Sequence, residues 1–174
     1  DTLVRAAIGG TGEAKTGANY VASLLAAEHA KKKGYSQVLW LDARERKYVE
    51  EVGVMNIFFV KKGVLITPML SGSILHGITR KSILQMAPSL NIQTEERLIT
   101  IEEVVAAIES KEITEAFAVG TAAVVSPVGS IGYKDKKIVI SEKSGPVAER
   151  FFETLTSLQY GDSPDPYGWR VKIE

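Results

Sequence analysis

The sequence predicts a mixed α/β (α+β) domain of pseudo-barrel build, and three observations lead there. Helical and strand patterns alternate irregularly instead of in an even βαβ repeat, which disfavours a doubly wound sheet. Short apolar runs bounded by glycine and charged turns fall in two stretches, around 37–67 and 115–140, as strands do. The 174 residues, 45% hydrophobic and 24% charged, are enough for one well-packed globular domain.

Taken in order, Asn19 is placed to cap a helix from about Tyr20 to Lys33, with Val21, Leu24 and Leu25 on one face and Gly34 as its stop. The run Lys31-Lys32-Lys33 then complements the helix macrodipole. Strands follow at Gln37–Asp42, which carries Trp40, and at Tyr48–Val52. Asn56–Val60 turns through Lys61-Lys62-Gly63 into Val64–Thr67 as a hairpin. Gly77 precedes a helix of about ten residues, Ile78–Ala87, ended by Pro88. A short strand at Ile92–Glu95 leads to Thr100, the cap of a helix Ile101–Ser110, and Thr100 with Glu103 spells a capping box. A strand near Glu115–Ala118 comes next, then short strands from Ala122 to Ile140 broken at Gly129, Gly132 and Lys134-Asp135. A final helix spans about Gly145–Leu158. The tail Gly161–Glu174, with Pro164, Pro166 and Trp169, is expected on the surface with its tryptophan anchored. The pattern shows no internal repeat, low-complexity segment or linker.

Composition removes several classes of function. Lys and Arg number 21 and so do Asp and Glu, so no net field draws the chain to nucleic acid or to an anionic membrane. With no cysteine there is neither a disulfide framework nor a thiolate metal site, which fits a reducing, cytoplasmic setting. No apolar run approaches the roughly 18 residues that cross a bilayer. His29 and His76 form no cluster with metal-ligand spacing, and no Ser, His, Asp order suggests a hydrolase.

Chemistry concentrates in a few segments. Gly9-Gly10-Thr11-Gly12-Glu13-Ala14-Lys15-Thr16-Gly17-Ala18-Asn19-Tyr20 sets one lysine in a glycine-rich turn just before a helix, where the backbone can approach a bound ring. Lys15 reads as a Schiff-base lysine or as a solvated loop lysine, with Tyr20 five residues on. Glu50 and Glu51 point to opposite faces of a strand, so only one of them is expected to face a site. Gly77-Ile78-Thr79 offers backbone N–H groups at a helix start, where a phosphate can sit. Gly120-Thr121-Ala122 adds a tight turn with free N–H groups and a hydroxyl.

Lys15-x-Gly17-x-Asn19-Tyr20 resembles the cofactor-lysine motif of the branched-chain aminotransferases, fold type IV enzymes that use pyridoxal 5′-phosphate. Glu51-Val52-Gly53-Val54-Met55-Asn56-Ile57-Phe58, Ser73-Ile74-Leu75-His76-Gly77-Ile78-Thr79-Arg80 and Gly120-Thr121-Ala122-Ala123-Val124-Val125-Ser126-Pro127-Val128 are similar to further blocks of that family, in the same order. The resemblance extends through Gln37–Asp42 and Leu158–Gly161, so it covers nearly the whole chain. It implies that Lys15 is catalytic and holds the cofactor, that Glu51 faces the ring nitrogen, and that Tyr20 meets the ring's phenolic oxygen. It further implies that Leu75 packs on the ring, that Ile78, Thr79 and Thr121 hold the phosphate, and that Val54, Thr121 and Ala122 meet the substrate. No metal is implied. The implied reaction is transamination between leucine, isoleucine or valine and 2-oxoglutarate. The implied setting is a cytoplasmic homodimer in which residues 1–174 are the cofactor-binding C-terminal domain, without the family's smaller N-terminal domain and inactive alone.

The sequence departs from the family pattern at Ala18, where a second glycine is usual, at Val54, where threonine is common, and at His76, where proline is common. Other occupants of the same fold type, a D-amino-acid aminotransferase or an aminodeoxychorismate lyase, share the lysine, the glutamate and the phosphate turns. Trp40-Leu41-Asp42 and Val54-Met55-Asn56-Ile57 fit those less well. A non-catalytic module that keeps the fold is the alternative from another class.

Overall fold

In the computed structural model, which describes residues 3–173, four helices and nine strands are arranged around one seven-stranded sheet and a separate hairpin. The first helix, α1, spans Gly17–Lys32. The strands β1 (Leu39–Leu41), β2 (Val49–Val52), β3 (Met55–Lys61) and β4 (Val64–Pro68) follow as an antiparallel run. Helix α2 (Ile78–Met86) and a 3-10 turn (Ala87–Leu90) return the chain so that β5 (Thr94–Arg97) lies parallel to β4. Helix α3 (Ile101–Glu109) leads to β6 (Ile113–Gly120), which pairs along the whole of β3 and then folds back into β7 (Val124–Pro127). The hairpin β8 (Ser130–Tyr133) and β9 (Lys136–Val139) precedes the last helix, α4 (Pro146–Tyr160).

Strand alternation builds two cores from one sheet. Ile57 and Phe59 of β3 face α3 and the β8–β9 hairpin, packing with Val104, Ile108, Ile131 and Ile138. Their neighbours Phe58 and Val60 face α2 and α4, where Phe117 stacks on Phe58 at 5.5 Å and Phe151 closes on Phe117 at 6.2 Å. The β3–β4 hairpin forms as expected, because Lys62 and Gly63 both take positive φ (50° and 80°), the conformation that a two-residue turn between twisted strands requires. Tyr167 and Trp169 of the tail stack at 4.4 Å and rest on the second core, so the tryptophan is anchored.

Several expectations are corrected. Asn19 is not the cap of α1; Thr16 is, and Asn19 lies buried inside the first turn. The apolar residues Val21, Leu24 and Leu25 are mostly exposed, and only Asn19 and Ala26 of that helix are buried. The strand at Gln37–Asp42 shrinks to Leu39–Leu41, and the one at Ile92–Glu95 moves to Thr94–Arg97, since pairing with β4 sets its register. Gly132 lies within β8 and does not interrupt it. Only half of the capping box forms: Thr100 Oγ1 accepts from the Glu103 N–H at 3.0 Å, while the Glu103 carboxylate is drawn away by Arg97 and Lys61.

Candidate active site

Tertiary contacts bring the separated segments to one end of the sheet. The β2–β3 turn carries Gly53 at a φ of 58° and Val54, and pairs Glu51 with Asn56. Trp40 Nε1 donates to the Gly53 carbonyl at 2.8 Å and pins that turn. Asn56 in turn lies opposite Val119, so β6 delivers Gly120, Thr121 and Ala122 beside the same turn. Asn56 Nδ2 donates to the Leu75 carbonyl at 3.0 Å and to Glu51 Oε1 at 3.2 Å, joining the Ser73–Gly77 loop to the carboxylate. A side chain at Gly77 has no room: its Cβ would fall 2.1 Å from Asn56 Oδ1.

The lysine-bearing loop docks on the same place. A Cβ on Gly12 would lie 2.3 Å from the Ser73 carbonyl oxygen, so glycine there allows two backbones to touch. Asn19 Nδ2 donates to the carbonyls of Thr11 (2.8 Å) and Ala14 (2.9 Å), and Thr11 Oγ1 donates to Asn19 Oδ1 at 2.7 Å. These bonds hold the residues on either side of Glu13 and leave Lys15 exposed at the loop's end, with Tyr20 half-buried one turn into α1. His76 Nε2 lies 3.0 Å from Glu13 Oε1 on the surface, which gives this departure from the family pattern a loop contact.

Glu51 is 1% exposed and Glu50 4%, so both carboxylates of β2 are buried, whichever face of the strand they point to. β2 is covered on both faces, with the Ser71–Ser73 loop over Glu50 and Arg5 over Glu51. Ser73 Oγ makes a short bond to Glu50, and burial pushes the Glu50 carboxyl up. Arg5 Nε stands 2.5 Å from Glu51 Oε2 as an ion pair, but off the line that a hydrogen bond needs. Glu51 Oε2 therefore has charge beside it and no donor directed at it among the described residues. Desolvation pushes Glu51 up to about 7 against the opposing pull of Arg5.

Of the remaining sequence-derived positions, Leu75 is half-buried, Thr79 is buried, and Val54, Ile78, Thr121 and Ala122 are exposed. The first N–H groups of α2 lie ahead of its first backbone bond, from Lys81 to the Gly77 carbonyl at 3.0 Å, and among the described residues remain free for an anion. A cavity of about 540 Å³ opens elsewhere, between the end of α1, β1 and the β7–β8 segment, and none of Lys15, Glu51, Thr79 or Thr121 lines it. Two residues of the site escaped the sequence reading. Arg5, in Leu3-Val4-Arg5-Ala6-Ala7, and Asn56, in Met55-Asn56-Ile57, are single polar residues inside apolar runs, and that isolation was their signal.

The arrangement fits a pyridoxal phosphate. A buried carboxylate oxygen lacking a donor suits a protonated ring nitrogen, a helix start suits a phosphate, and an exposed lysine stands on a loop fixed to both. Among the described residues no cluster of three or more metal-ligating side chains occurs, and no helix is long and apolar enough to cross a membrane.

Residues 5–131 match the family described as amino-transferase class IV. The chain is 54% identical over 174 residues to a probable branched-chain-amino-acid aminotransferase of Staphylococcus epidermidis, covering 99% of this chain and 49% of that protein. The crystal structure of the Escherichia coli branched-chain amino acid aminotransferase superposes with a TM-score of 0.83 at 34% identity, over 97% of this chain and 52% of that one. A second solved branched-chain amino acid aminotransferase, from T.th. and complexed with N-(5′-phosphopyridoxyl)-L-glutamate, gives a TM-score of 0.82 at 33% identity, over 97% and 53%. The chain thus spans about half the length of the curated relatives it matches.

Proposed function

The chain belongs to the class IV amino-transferases, and on that premise we propose that the complete protein transfers an amino group between a branched-chain L-amino acid and 2-oxoglutarate. The observation that carries the reading is the buried Glu51 with its donorless Oε2, brought beside the Lys15 loop and the start of α2. The choice of leucine, isoleucine and valine is supported by the names of the relatives. Glutamate and its 2-oxo acid are supported by the phosphopyridoxyl-glutamate bound in one of the solved relatives. The other fold type IV activities and the non-catalytic module have no such support.

Pyridoxal 5′-phosphate, when bound, supplies the electron-withdrawing ring that makes the amino acid's Cα–H acidic. Lys15 would hold it and move the proton at Cα. Glu51 would accept a hydrogen bond from the ring nitrogen and keep that nitrogen protonated. Tyr20 would meet the phenolic oxygen and Leu75 one ring face. The N–H groups of Ile78 and Thr79, with the Thr121 hydroxyl, would take the phosphate. The N–H groups of Thr121 and Ala122 would receive the substrate α-carboxylate, with Val54 and the small Ala122 side chain beside the aliphatic group.

Lys15 is exposed in this chain, whereas a lysine that acts as base near neutral pH needs a drier setting. We take this as support for a smaller N-terminal domain in the complete protein, which closes the site, and for residues 1–174 alone having no turnover. Ile8, Val21, Leu24 and Leu25 are exposed apolar residues that such a domain, or the second subunit of a homodimer, would cover. A cytoplasmic setting fits a small-molecule reaction of this kind. The test is direct: the complete protein, given pyridoxal 5′-phosphate, 2-oxoglutarate and leucine, isoleucine or valine, is expected to form L-glutamate and the matching 2-oxo acid. D-glutamate from D-alanine, or no transfer at all, would overturn the assignment.

A further inference from the structure

We infer that Arg5 is the positioning residue of this site: its Nε favours the charged form of Glu51 and fixes its place, while its Nη1 ties the lysine-bearing loop to the Ser73 loop. The inference rests on the reading of Glu51 as the carboxylate that meets the cofactor ring.

Arg5 is 7% exposed, and a buried guanidinium is costly unless its charge and its donors are all met. Here its charge faces Glu51 and its Nη1 donates twice, so three segments of the site meet it at once. Nε faces Glu51 Oε2 at 2.5 Å, and Nη1 donates to the Ser73 carbonyl at 2.8 Å and more weakly to the Gly12 carbonyl at 3.4 Å. Gly12 and Ser73 are the two residues whose backbones touch, so the arginine spans the junction where the lysine loop docks. The rigid fork of a guanidinium can do this, because its donors keep fixed directions; an ammonium offers the charge without the fork.

The groups around Glu51 set what Arg5 has to oppose. Glu50, next along β2, disfavours a second charge and is itself faced by Ser71, Ser73 and the more distant Asp42. Asn56 Nδ2 donates to Glu51 Oε1, and the Leu75 backbone adds a further favourable contact. Arg5 is the cation in this set. Without it, burial and Glu50 would both favour the neutral acid, which holds a ring nitrogen's proton less well than a carboxylate does.

Carbon-13 labelling of glutamate carboxyls in the protein without cofactor, with Glu51 assigned by its loss in Glu51→Gln, reads its titration directly. Arg5→Gln is expected to raise the Glu51 midpoint by about 1–3 pH units. Arg5→Lys is expected to keep the midpoint near the parent's while the amides of residues 12–15 exchange faster with solvent, as they also do in Arg5→Gln. A folded Arg5→Gln protein with an unchanged Glu51 midpoint would overturn the charge role, and unchanged exchange in Arg5→Lys would overturn the tie. Should Arg5→Gln not fold, Arg5→Lys alone decides, by its loop exchange and its titration. Neither readout uses bound cofactor, so a failure of pyridoxal phosphate to label Lys15 would count against the function and leave the role of Arg5 judged on its own.

Discussion

Asn19 Nδ2 donates to the carbonyl of Ala14 at 2.9 Å, so the residue immediately before Lys15 is fixed by a side chain from the first turn of the following helix. The same amide group holds the Thr11 carbonyl, and the Asn19 oxygen accepts from the Thr11 hydroxyl. Asn19→Ala is expected to cost about 1–3 kcal/mol, because three part-buried hydrogen bonds are lost together. Urea unfolding measures that cost. Hydrogen exchange should show the faster opening confined to residues 11–16, with the sheet unaffected.

Gly12 and Gly17 should respond in opposite ways to alanine. A Cβ at Gly12 meets the Ser73 carbonyl oxygen at 2.3 Å and Cα at 2.6 Å, both backbone atoms, so Gly12→Ala must push the lysine loop off its seat at a cost of about 1–3 kcal/mol. At Gly17 nothing lies within 4 Å, and alanine at the first helical position is expected to be neutral or to stabilise by up to about 1 kcal/mol. Thermal unfolding of the two variants side by side checks the contrast.

Much of this could be read in the sequence, and what could not has a common cause. The turn at Lys62-Gly63, the stop at Gly34 and the Thr100 cap depend on neighbours a few residues away, and the helix start at Gly77 declared itself in the same way. The residues proposed for the site, Lys15, Glu51, Thr79 and Thr121, are legible as motifs. What holds them together is not, since Arg5 meets a carbonyl 68 residues on and Asn56 one 19 residues on. The depth of Glu50 was likewise hidden, because the cover over β2 comes from a distant loop. Asn19 was misread for a physical reason: a residue suited to capping served its own loop instead, and Thr16 took the helix start.

Glu115 shows the same long reach with a consequence for stability. It is 6% exposed in β6, and its carboxylate accepts from the N–H groups of Val147 (3.1 Å) and Ala148 (3.0 Å), capping α4 from 32 and 33 residues away. Glu115→Ala is expected to destabilise the protein by about 1–3 kcal/mol and to speed exchange in the first turn of α4. Loss spread evenly over the molecule, without that local signature, would contradict the capping role.

Stability should bend with pH in a way that identifies Glu51. Its folded value, about 7, lies above the ordinary 4.5, so its contribution is fully present below 4.5 and is lost as pH rises through 7. Glu50 shifts in the same direction. At the acid end the sign reverses, because Arg97 and then Lys61 hold Glu103 down to about 2; that contribution is present above 4.5 and lost as pH falls toward 2. Urea unfolding without cofactor is expected to show the parent losing up to about 3 kcal/mol relative to Glu51→Gln between pH 4.5 and 7. Parallel curves over that window would exclude the shift.

The central claim is that Lys15 carries the cofactor, and one measurement addresses it most directly. Pyridoxal 5′-phosphate is added to this chain and to the complete protein, the mixtures are reduced with borohydride, and the pyridoxyl label is located by peptide mass spectrometry. Label confined to Lys15 in the complete protein, and abolished there by Lys15→Ala, is the predicted result. Label spread over surface lysines of the complete protein, or absent from it, would contradict the account.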